Sequence, residues 1–111
     1  MSTKKEIKFT VSLDENHIPE TIEWTASEGG GVSNEKIKAM MVSVWDPKEK
    51  VAKRVDLWTK DMLVDDMKYF HFQTLMTLAD TLERSTGEVE SAKKIRNIGM
   101  EIGKDMKVLV K

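Results

Sequence analysis

Apolar and polar residues alternate with period two in the first half of the chain and recur at three and four residue intervals in the second. Ile7, Phe9, Val11 and Leu13 alternate with Lys8, Thr10 and Ser12, which predicts a strand with one wet face. Asp14-Glu15-Asn16-His17 follows as a turn, and Pro19 precedes a second alternating run from Thr21 to Ala26 that directs Ile22, Trp24 and Ala26 inward. The two runs predict a hairpin. Ser27 to Glu35 has no period, and Gly29-Gly30-Gly31 within it leaves the backbone free to form either a bulged crossing or a mobile loop.

The central stretch runs from Met40 to Leu82. Met40, Val42 and Val44 fall on one face of a strand and Ala39, Met41 and Trp45 on the other, so both faces are apolar. Asp46-Pro47-Lys48-Glu49-Lys50 stops it, since proline cannot donate to a ladder. The return run alternates Val51, Lys53, Val55, Leu57 and Thr59 with Ala52, Arg54, Asp56 and Trp58. The pair predicts a second hairpin, in which Trp45 and Trp58 share a face and are expected near each other.

After Asp61 the period changes to that of a helix. Met67, Phe70, His71, Thr74, Leu75, Leu78 and Leu82 form a stripe widened by Phe72 and Ala79. Asp61 is the expected cap, Asp65 and Asp66 suit the positive end of the helix dipole, and Arg84 and Gly87 mark the other end. A second helix begins near Glu88. Ala92, Ile95, Gly99, Ile102, Met106 and Leu109 form a narrow seam with Gly103 beside it, suited to close approach of another helix: the first one, or that of a second copy.

The resulting fold class is α+β: an antiparallel sheet of about four strands followed by two C-terminal helices packed on it. With 111 residues, a single domain is expected, divided into a mobile tail (1–5), a sheet region (6–60) and two helices (61–111). The absence of cysteine excludes disulfides and thiolate metal sites. No signal-peptide pattern opens the chain and no apolar run reaches the roughly 18 residues of a membrane span. The expected location is therefore cytoplasmic, without membrane insertion. A net charge of -1 gives no electrostatic ground for a nucleic-acid partner.

Candidate chemistry is sparse. Asp14 to His17 supplies oxygen and imidazole groups in a row, yet consecutive turn residues seldom converge on one ion, and a structural turn is the expectation. His71 has no acid or hydroxyl partner identifiable in sequence and is expected to be buried for packing. Asp56, Asp61, Asp65 and Asp66 are close in sequence, but capping and dipole roles account for three of them. The three glycines lack the lysine of a phosphate-binding loop. No catalytic residue, cofactor or metal is assigned. Lys93, Lys94, Arg96, Lys104 and Lys107 beside an apolar seam also fit a helix lying on a membrane, although Glu101 and Asp105 dilute the charge and helix packing is simpler. The feature with most functional content is the face of Met41, Trp45 and Trp58. It is an exposed interface if the first helix covers only the other face, and ordinary core if the second helix covers it.

Four stretches carry a resemblance: Leu13-Asp-Glu-Asn-His-Ile-Pro-Glu-Thr-Ile-Glu-Trp-Thr-Ala, Met41-Val-Ser-Val-Trp-Asp, Val55-Asp-Leu-Trp-Thr-Lys-Asp-Met and Gln73-Thr-Leu-Met-Thr-Leu-Ala-Asp-Thr-Leu-Glu-Arg. In order and over about three quarters of the chain, they resemble the GldC family, gliding-motility-associated proteins of Bacteroidetes. The resemblance implies a non-enzymatic accessory that meets protein partners of the motility apparatus. Met41, Trp45 and Trp58, or Gly99 and Gly103, are the expected interface, with a homo-oligomer as one outcome. The alternative is a chaperone-like binder of unfolded or exported polypeptides, since the order of elements is similar to that of the SecB export chaperones, a fold-level analogy.

Overall fold

The computed structural model describes residues 4–27 and 33–109. The glycine loop and most of the expected tail lie outside them. The described residues form two compact units, one within 1–62 that holds every strand and one within 63–111 that holds both helices.

In the first unit, β1 (Ile7–Leu13), β2 (Pro19–Ala26) and β3 (Glu35–Ile37) form one antiparallel sheet, and β4 (Ala39–Asp46) and β5 (Val51–Trp58) form another. Among the described residues the strands number five, one more than expected, in two sheets. β3 and β4 are consecutive segments interrupted only at Lys38, where the chain leaves β2 and takes β5 as its neighbour. The end of β5 runs into the fork this creates. Thr59 N donates to Lys38 O at 2.8 Å and Lys60 N to Pro19 O at 3.0 Å, tying the end of β5 to the bend at Lys38 and to β2.

Ile22 is fully buried and stands opposite Val11 on β1 and Ile37 on β3, so the inward face expected of β2 is the centre of this sheet. Phe9 lies opposite Trp24 and stacks on it, with ring centroids 6.1 Å apart. The Trp24 indole donates to Glu35 Oε1 at 2.9 Å, which satisfies its N–H and locks β3 to β2.

The β4–β5 register pairs Ala39 with Trp58 and Trp45 with Ala52. Directly opposed residues share a face, so Trp45 and Trp58 lie on one side of the hairpin as expected. They are not neighbours. Six residues of strand separate Ala39 from Trp45, about 20 Å at the rise of a strand. The turn dictates this: Asp46 Oδ1 accepts from Lys48 N at 2.9 Å and Glu49 N at 3.2 Å, Lys50 N donates to Asp46 O, and Lys50 takes a φ of 56°, fixing Asp46 opposite Val51.

In the second unit, α1 (Val64–Thr86) and α2 (Val89–Asp105) pack against each other. Asp65 and Asp66 occupy the first turn of α1, Arg84 the last, and Gly87 ends it in the left-handed conformation. Asp61 is not the cap. That position is Leu63, whose side chain makes no capping hydrogen bond. Of the expected α2 seam, Ala92 and Gly99 are buried, as is Gly103 beside it, Ile95, Met106 and Leu109 are half-buried, and Ile102 is exposed. A Cβ at Gly99 would stand 2.6 Å from Met76 Sδ, and one at Gly103 would stand 2.8 Å from Phe72 Cε1. The face that α1 presents to α2 is therefore that of Phe72, Leu75 and Met76, rotated from the expected stripe: His71 and Leu78 are exposed. Arg96 of α2 reaches back to Asp80 and Glu83, both at 2.8 Å, and clamps the pair.

Candidate functional site: the β4–β5 hairpin

The hairpin is a two-stranded sheet with two distinct faces. On one, the rows are Ala39 with Trp58, Met41 with Asp56, Ser43 with Arg54, and Trp45 with Ala52. Arg54 makes a two-pronged contact with Asp56, from Nε to Oδ2 at 3.1 Å and from a terminal nitrogen to Oδ1 at 2.9 Å. This face thus carries a charged centre between two indoles. Trp45 is 64% exposed and Trp58 55%. On the opposite face Val42 stands beside Val55, and Val44 and Val51 are diagonal neighbours across the turn end. Val44 is 57% exposed and Val55 51%, while Met40 at the other end is buried. Both faces of β4 are apolar, as the alternation predicts, while β5 adds Arg54 and Asp56 to one face and Lys53 to the other; Val44, Trp45, Val55 and Trp58 are exposed.

At the base of the hairpin, Trp58 joins Ile18, Pro19, Leu57 and Lys60 around a shallow cleft of about 260 Å³. Its position rests on an ionic anchor. Lys60 Nζ lies 3.0 Å from Asp14 Oδ2 and 3.6 Å from Glu20 Oε2. Asp14 Oδ1 in turn accepts from the amides of Asn16 at 2.8 Å and Ile18 at 3.0 Å. The amide of Ile18, followed by Lys60, holds the Asp14 carboxyl below its usual range, and Asp14 raises the Lys60 ammonium. Asp14 is thereby a turn residue with both oxygens occupied by the chain itself, and His17 next to it adopts a φ of 63° to close the turn.

A second cleft, about 290 Å³, opens in the fork between β2, Lys38 and the end of β5. Thr59, only 2% exposed, donates its hydroxyl to Asp61 Oδ1 at 2.6 Å, and Lys38 pairs with Asp61 Oδ2. Lys38, then Thr59, lowers the Asp61 pKa. Asp61 is a joint of the strand fork; it stabilises the bend at Lys38.

The other acids and His71 are dispersed. Asp56 faces Arg54 on the hairpin, Asp65 and Asp66 sit at the start of α1, and His71 lies in mid-helix. His71 is exposed, contrary to its expected burial, and Nδ1 donates to Met67 O at 2.9 Å. Its position in the stripe misled because only part of that stripe, Phe72 and Leu75, turns to α2. Among the described residues, no three His, Cys, Asp or Glu side chains group where they would hold a metal ion, and no helix is long and apolar enough to cross a membrane. Gly99 and Gly103 lie against Met76 and Phe72 of the same chain.

A family model described as gliding motility-associated protein GldC-like matches residues 19–108, about four fifths of the chain. The protein belongs to the GldC-like family. The match runs from the first residue of β2 to the buried Val108 after α2, so it includes the hairpin and both helices. Neither the curated proteins nor the solved structures give a match. What the GldC-like description adds to the geometry is an association with gliding motility.

Proposed function

We propose that this GldC-like protein is a non-enzymatic, cytoplasmic accessory of the gliding-motility apparatus that acts by protein contact, with Met41, Trp45 and Trp58 as its binding surface. The observation that carries this reading is the exposure of both indoles at the two ends of a hairpin whose other face carries Val42, Val44, Val51 and Val55. Large apolar side chains left in water at that density suit a partner's surface better than a free one. Tryptophan and methionine are enriched in protein contacts, and arginine paired with aspartate between the indoles supplies orientation. Gly99 and Gly103 are assigned to the chain's own helix pair instead of to a partner, because Met76 and Phe72 already fill the space above them.

The test is affinity capture from the native cell with the wild-type chain, Trp45→Ala and Trp58→Ala side by side. A buried tryptophan anchor is worth about 2 kcal/mol or more, roughly thirtyfold in affinity. Selective loss of one partner with either variant is the expected result. Equal capture by all three chains overturns the assignment of the surface, and comparable binding of many unrelated unfolded chains favours the chaperone class instead.

A further inference from the structure

β4 is the feature that the proposed contact does not exhaust. It pairs with β5 along one edge, and among the described residues no strand pairs with its other edge. Edge strands are ordinarily protected by charge, proline or a bulge. From Ala39 to Trp45 β4 has no charge, proline or glycine, its one charge being Asp46 at the last position, and its pairing with β5 runs through without a register shift. β5, the other edge of the same sheet, carries Lys53, Arg54 and Asp56. The protection is thus one-sided.

We propose that the free edge of β4 pairs antiparallel with β4 of a second copy of this chain, about a twofold axis at Val42, to make a continuous four-stranded sheet. The inference deepens the contact reading above by naming one occupant of the hairpin. Self-complementarity selects both the occupant and the register. With Val42 opposite the partner's Val42, Lys38 falls opposite the partner's Asp46, so each end of the new ladder closes on opposite charges and no charge lies between. Moving the register by two residues in either direction loses this, setting Lys38 opposite the partner's Val44 or the partner's Lys48. Lys38 already pairs with Asp61 and Asp46 with Lys53, so the new pair joins two existing ion pairs into a network.

The same register explains the placement of the tryptophans. Within one chain Trp58 stands opposite Ala39 and Trp45 opposite Ala52, at opposite ends. Across the twofold axis, Ala39 faces the partner's Trp45. Trp58 and the partner's Trp45 then occupy one row with only the small Ala39 between them, two strand spacings or about 10 Å apart, within reach of two indoles. On the other face the central row becomes four valines: Val55, Val42, the partner's Val42 and the partner's Val55. Isologous pairing of this kind closes on itself and leaves only the charged β5 strands as outer edges.

Purified protein alone tests this. Sedimentation velocity from low to high micromolar concentration is expected to show dimer for the wild type, and Val42→Lys, which opposes two ammonium groups at the axis, to weaken association at least about tenfold. The chain has no native cysteine, so a single introduced one reports its own position. Under mild oxidation Val42→Cys is expected to form a dimer disulfide. Val55→Cys is not, since the two copies lie three strand spacings, about 14 Å, apart. Wild-type protein that stays monomeric throughout, or crosslinking of Val55→Cys as readily as of Val42→Cys, overturns the proposal. If Val42→Lys fails to fold by circular dichroism, the cysteine pair still decides. A monomer in these assays leaves the capture experiment untouched, because a different protein can still hold the tryptophan face.

Discussion

Lys60 Nζ sits 3.0 Å from Asp14 Oδ2 across 46 residues of chain, joining the end of β5 to the first turn. Asp14 is lowered by the Ile18 amide and by Lys60, so its contribution to stability is full above the ordinary aspartate value of 3.8 and is lost as pH falls through its folded value. Lys60 is raised, so its contribution is full below 10.5 and is lost as pH rises through its folded value. Asp14→Asn keeps an oxygen for the two amides and removes the charge. Its melting temperature is expected below wild type from neutral pH down to about pH 4, and to converge with wild type in stronger acid. A gap that persists unchanged at pH 2 would show that charge is not what Asp14 contributes.

Leu63 begins α1 with a φ of -76° and ψ of 142°, the backbone a capping residue needs, but with a side chain that offers no oxygen. It is 64% exposed. Leu63→Asp or Leu63→Ser is expected to stabilise the protein by about 1 kcal/mol, with Asp also favoured by the helix dipole. Chemical denaturation monitored by circular dichroism measures it, and an unchanged midpoint refutes it.

Gly99 and Gly103 give a contrast within one helix. Alanine favours a helix over glycine by about 1 kcal/mol. At Gly99 the obstacle is the flexible Met76 thioether, so Gly99→Ala is expected to come out near neutral. At Gly103 it is the Phe72 ring, with Cε1 at 2.8 Å and Cδ1 at 3.0 Å, so Gly103→Ala is expected to destabilise by about 1–3 kcal/mol. Equal denaturation midpoints for the two variants would mean that the helices part freely.

The two helix ends make a reciprocal pair. Gly87 has a φ of 76° with open space where a Cβ would go, so Gly87→Ala is expected to lose about 1 kcal/mol from backbone strain alone. Lys107 has a φ of 59° after α2, while Val108 N donates to Gly103 O and Lys107 N to Lys104 O. Lys107→Gly is expected to gain up to about 1 kcal/mol, since a glycine meets that conformation without strain. Thermal melts of the two variants moving in the same direction would contradict the pairing.

The alternation of polar and apolar residues revealed four of the five strands, because each has seven or eight residues and a clear period. β3 escaped: Glu35-Lys36-Ile37 is too short to show a period, and nothing at Lys38 announces a change of neighbour. Both helices were legible, as were Gly87 as a terminator and the close approach at Gly99. The orientation of α1 was not, because its apolar residues cover more than one face and periodicity does not say which side meets α2. For the candidate site, alternation placed Met41, Trp45 and Trp58 on one face, but their separation depended on a turn whose register comes from the Asp46 carboxylate accepting from the Lys48 and Glu49 amides. The anchoring roles of Asp14 and Asp61 depend on Lys60 and Lys38, partners that no local pattern links to them.

Of the three indoles, Trp24 lies against Phe9 with its N–H held by Glu35, while Trp45 and Trp58 face water. The chain therefore carries its own optical probe. Occupation of the hairpin, by a second copy or by another molecule, dehydrates these two rings and draws the intrinsic emission toward the blue, with Trp24 as an internal reference that requires no dye.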